Sequence, residues 1–471
     1  MKQTTIEVFV FFLLRFCSCY AYLFPSLLPY YVSYFRVYNP YISQTSLYPV
    51  LTFEMAGCFF SHFIIKQLTT QFGVKRTVLI SAGSFVIISQ FLFLSGFSSV
   101  FFLWAIHFVS GFVLNLGNIC VFFFFQAKYG DSARLYFGKC LGGDLIGMFF
   151  WLQVATWVIN PHNLKVTDPT PASPDQLFPL SVYSRLPAFL TIFSLIYFFG
   201  MLAALQLVED PPKLSSSDSA EQKAGGEGEN YLEAALLAQE IELQPIKSTL
   251  NETKVISTPE PLNPQSAAID PKPSCFSKPG EYESRQPRFL VFVTSCILLV
   301  TFNAYYMAAF KVMGLTKLNN DNLLSLIFSL GGLVNMGLRL FSGEFFDLLG
   351  FKKAHLACCF ACLLICVGYL ATDSSMPRLF NWIHLPFRGI LGLIFLNIYN
   401  SIFALYEKEA ALHLVRYVDL IYFIGYGIAI PANTFLVFGT NYFWVHVTMT
   451  GFVIAAIELF RRNLHLYAND S

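Results

Sequence analysis

A handful of ionisable and polar side chains stand in long apolar surroundings, and any chemistry this chain performs rests on them. The segment Gly331-Gly332-Leu-Val-Asn335-Met-Gly337-Leu-Arg339-Leu-Phe-Ser-Gly343 puts Gly332, Asn335, Arg339 and Gly343 on one helical face, with Leu and Phe opposite. An Arg in an apolar medium is costly and is normally turned to a cavity. Its planar fork suits bidentate binding of a carboxylate. Arg339 stands about four residues, roughly 6 Å, from the end of its apolar run, so snorkelling to water is the competing reading. Arg388 lies deeper, after the apolar stretch 379–387, in a stripe with Gly392 and Tyr399. It is either a substrate cation or the partner of Asp419 or Asp144. Arg15, Cys19 and Tyr22 share a face, with Arg15 open to the same two readings as Arg339. Asn115 and Asn118 also share a face, and suit interhelical hydrogen bonds or substrate contact. Asn303 and Tyr306 carry a weaker signal of the same kind. Glu54, Asp144 and Asp419 are carboxylates in apolar runs that either titrate or neutralise a buried Arg. His107 and His446 read as satisfied core histidines.

The elements that position these groups follow from composition. Of 471 residues, 55% are apolar and 13% charged, Phe alone occurs 52 times, and mean hydropathy is +0.56. A water-soluble core cannot hide that much apolar surface, so a bilayer must solvate most of the chain. The net charge of +1 gives no reason to expect a nucleic-acid partner. Apolar runs of spanning length fall near 8–30, 47–66, 77–96, 99–125, 138–159 and 186–207, then near 289–311, 322–343, 354–372, 379–405, 411–438 and 441–460. The expectation is an all-α polytopic protein of twelve transmembrane helices. It divides into an N-terminal half (1–208), a disordered linker (209–288) rich in Pro, Ser, Gly and Glu, and a C-terminal half (289–471). Within the linker, Glu229–Leu243 reads as a transient amphipathic helix or a docking element. The first run is too long for a signal-peptide core and reads as a retained helix. Placing both termini in the cytosol puts about 13 Lys and Arg in inside loops against 6 outside, Lys311 among the latter, which favours that orientation. The sequons at Asn251 and Asn469 then face the cytosol and stay unmodified. Cys358, Cys362 and Cys366 share a face without a His or carboxylate, which points to helix packing rather than a metal site.

After the eighth span stands Gly343-Glu-Phe-Phe-Asp347-Leu-Leu-Gly350-Phe-Lys352-Lys353. It resembles the major facilitator loop: a Gly, an Asp four on, a Gly three further, then bases. The matching place after span two reads Lys66-Gln-Leu-Thr-Thr70-Gln-Phe-Gly73-Val-Lys75-Arg76, where Gly73, Lys75 and Arg76 fit but Lys66 and Thr70 replace the first Gly and the Asp. The Gly332, Asn335, Arg339, Gly343 face is similar to helix eight of the oxalate/formate antiporter and monocarboxylate transporter families. Tyr136-Phe137-Gly138-Lys139 running into Gly142, Gly143 and Gly147 resembles the helix-five start of monocarboxylate carriers. Tyr22 with Pro25, Asn39-Pro40, and Gly425-Tyr-Gly427 with Pro431 resemble the antiporter type. Proton-coupled relatives carry Asp where this chain has Asn335, and the antiporter family often has a Lys in helix eleven that is missing from 411–438.

The resemblance implies the major facilitator fold and a secondary or facilitative carrier of small organic anions, with exchange favoured over proton coupling through position 335. It implies a substrate site drawn from Arg339, Asn335, Arg388, Arg15, Tyr22, Asn115 and Asn118, and a gating loop built on Gly343, Asp347, Gly350, Lys352, Lys353, Gly73, Lys75 and Arg76. Glu54, Asp144 and Asp419 are the candidate proton or charge-pair sites. No phosphate loop, nucleotide fingerprint or zinc spacing is present in the sequence, so no enzyme, cofactor or metal is expected. Two rivals stay open: a carrier of a sugar or amino acid, and a non-transporting receptor or scaffold on the same fold.

Overall fold

A computed structural model describes residues 3–94, 99–129, 133–167, 177–209, 284–372, 377–406, 414, 416–437 and 442–467. Nearly all of the 209–288 block lies outside these residues, including Glu229–Leu243 and Asn251; so does Asn469. The described residues form helices and connecting turns, without strands. In chain order they are α1 (Gln3–Cys17), α2 (Tyr20–Arg36), the single turn α3 (Gln44–Leu47), α4 (Pro49–Ser61), α5 (Ile65–Leu94), α6 (Val100–Tyr129), α7 (Ala133–Ile159), the single turn α8 (Leu180–Tyr183), α9 (Leu186–Ala204), α10 (Pro287–Leu318), α11 (Asp321–Thr372), α12 (Pro377–Leu405), α13 (Arg416–Val437) and α14 (Tyr442–Arg462).

The twelve apolar runs all fall on these helices, with three instructive differences. The first run is two helices, α1 and α2, broken at Ser18-Cys19 in mid-span, and α2 carries Pro25 and Pro29. The seventh extends to Leu318, so Lys311 lies inside α10 and not in an outer loop. Nine helical stretches among the described residues are long and apolar enough to cross a bilayer. The runs that fall short are 47–66, 379–405 and 411–438, of which the last two keep only the shorter apolar stretches Trp382–Ile394 and Tyr417–Ile430.

The packing repeats. In the first half α1 packs on α7 and α9, α4 on α6, and α5 on α9. In the second half α10 packs on α13 and α14, and the two arms of α11 on α12 and α14. The correspondence is that of two similarly built six-helix halves. They meet along α4 with α13, α7 with α11, and α2 with α10. Small residues allow the close crossings. A Cβ at Gly57 would stand 2.0 Å from the Phe108 carbonyl oxygen, and one at Gly111 2.1 Å from that of Glu54, so α4 and α6 touch backbone to backbone.

At the end away from the chain termini, a polar clasp closes the halves. Lys311 Nζ lies 2.7 Å from Asp321 Oδ1, with both side chains 1% exposed. Tyr30 of α2 donates its hydroxyl to Asp321. Asn160, just past α7, donates to the same carboxylate at 2.8 Å. Gln153 of α7 donates to Ser329 of α11 at 2.7 Å. These bonds replace the water that a buried Lys and Asp would otherwise demand.

The loop resemblance has a backbone counterpart. α5 and α11 each bend at one glycine, Gly73 at φ 77° and ψ 165° and Gly350 at φ 68° and ψ 164°. Side-chain-bearing residues avoid this region. Gly73→Ala and Gly350→Ala should each destabilise the protein by about 1–3 kcal/mol. Gly200→Ala, whose new Cβ meets open space in α9, should be neutral. Thermal unfolding of the purified variants in detergent checks this; equal midpoints for all three would contradict it.

Candidate functional site

Between the halves lies a cavity of about 320 Å³. It sits toward the end that carries both termini. Its walls come from both sides of the break in the first span (Arg15, Ser18, Tyr22), from α4 and the residue just past it (Glu54, Cys58, His62) and from the N-terminal parts of α7 and α13 (Phe137, Asp144, Asp419, Tyr422). The structure brings Arg15, Tyr22, Asn115, Asn118, Asn335, Arg339, Arg388, Glu54, Asp144 and Asp419 together around this one space, with Asn303. Tyr306 does not line it and instead meets His446 Nδ1 at 2.5 Å. Of the gating-loop residues, Gly73, Gly350, Lys75, Arg76, Lys352 and Lys353 lie at the two bends. The side chains at 343, 347, 399 and 416 lie outside the described residues.

Each polar group has a helical reason for its place. Glu54, Cys58 and His62 repeat at i, i+4 and i+8 on α4, and Asp419, Tyr422 and Tyr426 at i, i+3 and i+7 on α13. His62, Tyr422 and Tyr426 were missed by the sequence reading, although the spacing from Glu54 and Asp419 carried the signal. Asn115 donates to the Cys58 carbonyl at 2.9 Å and to Ser61 Oγ at 3.0 Å, tying α6 to α4. Asn118 accepts from Ser18 Oγ at 2.9 Å, tying α6 to the break between α1 and α2. Asn335 donates to the Arg388 carbonyl at 2.7 Å and so locks α11 to α12. An Asp at 335 would offer a second acceptor to that carbonyl, which is a physical reason for Asn here.

The charges sort into pairs and exceptions. Arg15 reaches Asp144 Oδ2 through Nη2 at 2.5 Å and Nε at 3.1 Å, both residues buried. Arg339 acts on Asp144 electrostatically and meets the Tyr22 hydroxyl. His62 Nε2 lies 2.5 Å from Asp419 Oδ2, an ion-pair geometry that joins the two halves. Asp144 and Asp419 are thus taken, and Arg388 pairs with neither. Its guanidinium stands 4.5 Å over the Phe328 ring and against the sulfurs of Met307 and Met148, the latter at 2.9 Å. Thioethers are weak acceptors. Arg388 is 1% exposed, its Nε has no hydrogen-bond partner, and no carboxylate among the described residues pairs with it. Glu54 is the opposite case: it is 0% exposed, and no hydrogen bond from the described residues reaches either carboxylate oxygen. His107 is buried but not satisfied, because its Nδ1 lacks a hydrogen bond and lies 4.0 Å from Glu54 Oε2. No group of three or more potential metal ligands occurs among the described residues.

Such a cavity can hold a small solute and offer it charged and neutral hydrogen-bonding groups. Asp144→Asn should take from the buried Arg15 the counter-charge of Asp144 and cost about 3–5 kcal/mol. Arg15→Met combined with Asp144→Leu should recover most of that loss. Thermal unfolding of the three proteins decides it, and a double variant no more stable than the single one would contradict the pairing.

No protein-family model matches the chain, and no curated protein matches it in sequence. Solved structures do match in fold. The xylose transporter XylE from E. coli, in a partially occluded inward-open conformation, superposes with a TM-score of 0.65 at 9% identity over 98% of this chain and 99% of that one. A variant of the nucleoside transporter NupG gives 0.61 at 11% identity over 98% and 99%. A D-xylose-proton symporter gives 0.59 at 12% identity over 97% and 96%. With its helices packed in two similarly built halves and these near-complete superpositions, the chain has the major facilitator fold.

Proposed function

We propose that this chain is a carrier of small organic anions that works by alternating access between its two halves. The observation that carries the reading is Arg388: a guanidinium buried in the cavity wall, lacking a carboxylate partner among the described residues, and held among aromatic and thioether groups. A desolvated cation without a counter-charge is costly, and an anionic substrate supplies the counter-charge. Arg339 and Tyr22, which meet on the same cavity wall, offer further donors. The same cost favours exchange, since a carrier loaded with anion reorients more readily than an empty one that leaves Arg388 alone.

The polar clasp around Asp321 and the cavity's place near the termini support an inward-facing state, if the termini are cytosolic. The resemblance of the Asn335–Arg339 segment to carboxylate carriers supports the substrate class. The second reading, a neutral solute such as a sugar or nucleoside, draws on the solved structures of similar fold.

Proteoliposome flux of lactate, pyruvate, formate, oxalate, glucose, xylose and a nucleoside separates the two. The anion reading expects flux of at least one carboxylate, stimulated by anion on the opposite side. Arg388→Ala and Arg339→Ala should each lower it at least tenfold, on the order of one charge-assisted hydrogen bond. Arg388→Lys should recover little, because an ammonium does not reproduce the planar fork. Flux of the neutral solutes alone, or unchanged carboxylate flux in Arg388→Ala at equal incorporation, would overturn the reading.

A further inference from the structure

We propose that the solute held in this cavity is a zwitterion: a small carboxylate that also carries an ammonium group, with the carboxylate on Arg388 and the ammonium on Glu54. The carboxylate end rests on the anion reading above, and the ammonium end on Glu54 alone. The cavity wall holds incomplete groups of both signs, one from each half. Arg388 stands on α12 and Glu54 on α4. Both are at most 1% exposed, and neither meets an oppositely charged group at hydrogen-bonding length among the described residues. They do not complete each other. Tyr426 of α13 is within electrostatic reach of both, whereas Arg388 acts on Tyr426, Tyr22, Arg339 and Tyr369 but not on Glu54.

The remaining acids of the cavity leave Glu54 as the seat for a cation. Asp144 is met by Arg15, and Asp419 by His62. A ligand ammonium at either would compete with a guanidinium or an imidazole already in place. At Glu54 it finds two carboxylate oxygens to which no described residue donates. His107 does not fill that role, since its Nδ1 lies 4.0 Å from Oε2 and makes no hydrogen bond. Backbone contact at Gly57 and Gly111 fixes α4 against α6, and so holds Glu54 in place relative to His107. Asn303 of α10 adds a further acceptor on the cavity, because its Oδ1 is also buried without a partner.

This pattern selects among ligands. A plain carboxylate completes Arg388 and leaves Glu54 in a water-poor site with no donor, which is costly. A sugar brings hydroxyls but no charge for either end. An ammonium brings three N–H donors, enough for Glu54 and Asn303 together. The contact needs only an acceptor oxygen, which a carboxyl group offers in either protonation state, so no proton transfer is involved. A ligand that holds both ends also ties α4 of one half to α12 of the other.

Ligand pairs that differ only in an amino group test this by titration calorimetry on the purified protein in lipid nanodiscs. The pairs are propionate with alanine and with 3-aminopropionate, butyrate with 4-aminobutyrate, and 3-phenylpropionate with phenylalanine. In at least one pair the amino member should bind about tenfold tighter or more, on the order of one charge-assisted hydrogen bond. Glu54→Gln should shrink that ratio of affinities about tenfold, whereas Arg388→Ala should weaken both members and largely keep the ratio. If Glu54→Gln does not fold, Glu54→Asp, which draws the carboxylate back by one methylene, must shrink the ratio, and an unchanged ratio is fatal. Carboxylates bound with no preference for the amino member in any pair, or with a preference that survives Glu54→Gln, overturn the proposal and leave the anion reading standing. Propylamine or butylamine bound as tightly as the amino acids would remove the carboxylate end and overturn both. Xylose or a nucleoside bound, with no carboxylate bound whether plain or amino-bearing, would also overturn both.

Discussion

The interior of a bilayer supplies no water, so each charge placed there must find its counter-charge within the protein or remain costly. Much of this structure follows from that constraint. Lys311 and Asp321 are buried together, and the hydroxyl of Tyr30 and the amide of Asn160 complete their shell, which fastens one half to the other. Glu7 of α1 is likewise met by Lys128 at 2.5 Å and by the Tyr129 hydroxyl at 2.5 Å, which anchors α1 to α6 at the opposite end. Arg15 and Asp144 do the same between α1 and α7. By contrast, Arg388 and Glu54 have no such counter-charge at hydrogen-bonding distance among the described residues.

The route by which a solute would reach them also has a structural origin. Arg15 and Tyr22 flank the cavity on either side of the break at Ser18-Cys19, with Asn118 holding Ser18 at the break. Discontinuous helices at the membrane midplane are a recurrent way of exposing polar groups without stranding backbone amides. Both the Asp321 clasp and the termini-side contact between His62 and Asp419 are formed in this structure, so alternation between two access states requires each to open in turn.

Much of this was legible in the residues. Twelve apolar runs with a polar block between the sixth and seventh fixed the architecture, because helix length and bilayer thickness leave few alternatives. Gly73 and Gly350 were marked by the resemblance of their two segments to the major facilitator loop, and the structure gives both the same positive-φ bend. Face-sharing spacings such as Arg15 with Tyr22, or Asn335 with Arg339, pointed at one cavity because each helix turns a single face to it. Partnerships were not legible. Arg388 was equally compatible with pairing to Asp144 or Asp419, and only tertiary packing shows those carboxylates occupied by Arg15 and His62. Lys311 looked like a loop base because the end of an apolar run does not mark the end of a helix. His107 looked satisfied because its neighbour Glu54 lies 53 positions away on another helix. Periodicity reports which face a side chain shares; it is silent about what meets that face.

The central claim is that Arg388 awaits an anion. Its most direct test is ligand-induced thermal stabilisation of the purified protein, in parallel with Arg388→Ala. A ligand that binds only the folded state raises its stability in proportion to the logarithm of occupancy, by about 2.7 kcal/mol at 100 times Kd. The account predicts that at least one small carboxylate raises the midpoint of the wild type, that xylose and a nucleoside do not, and that Arg388→Ala abolishes the carboxylate shift. Stabilisation by the neutral solutes, undiminished in Arg388→Ala, would contradict it.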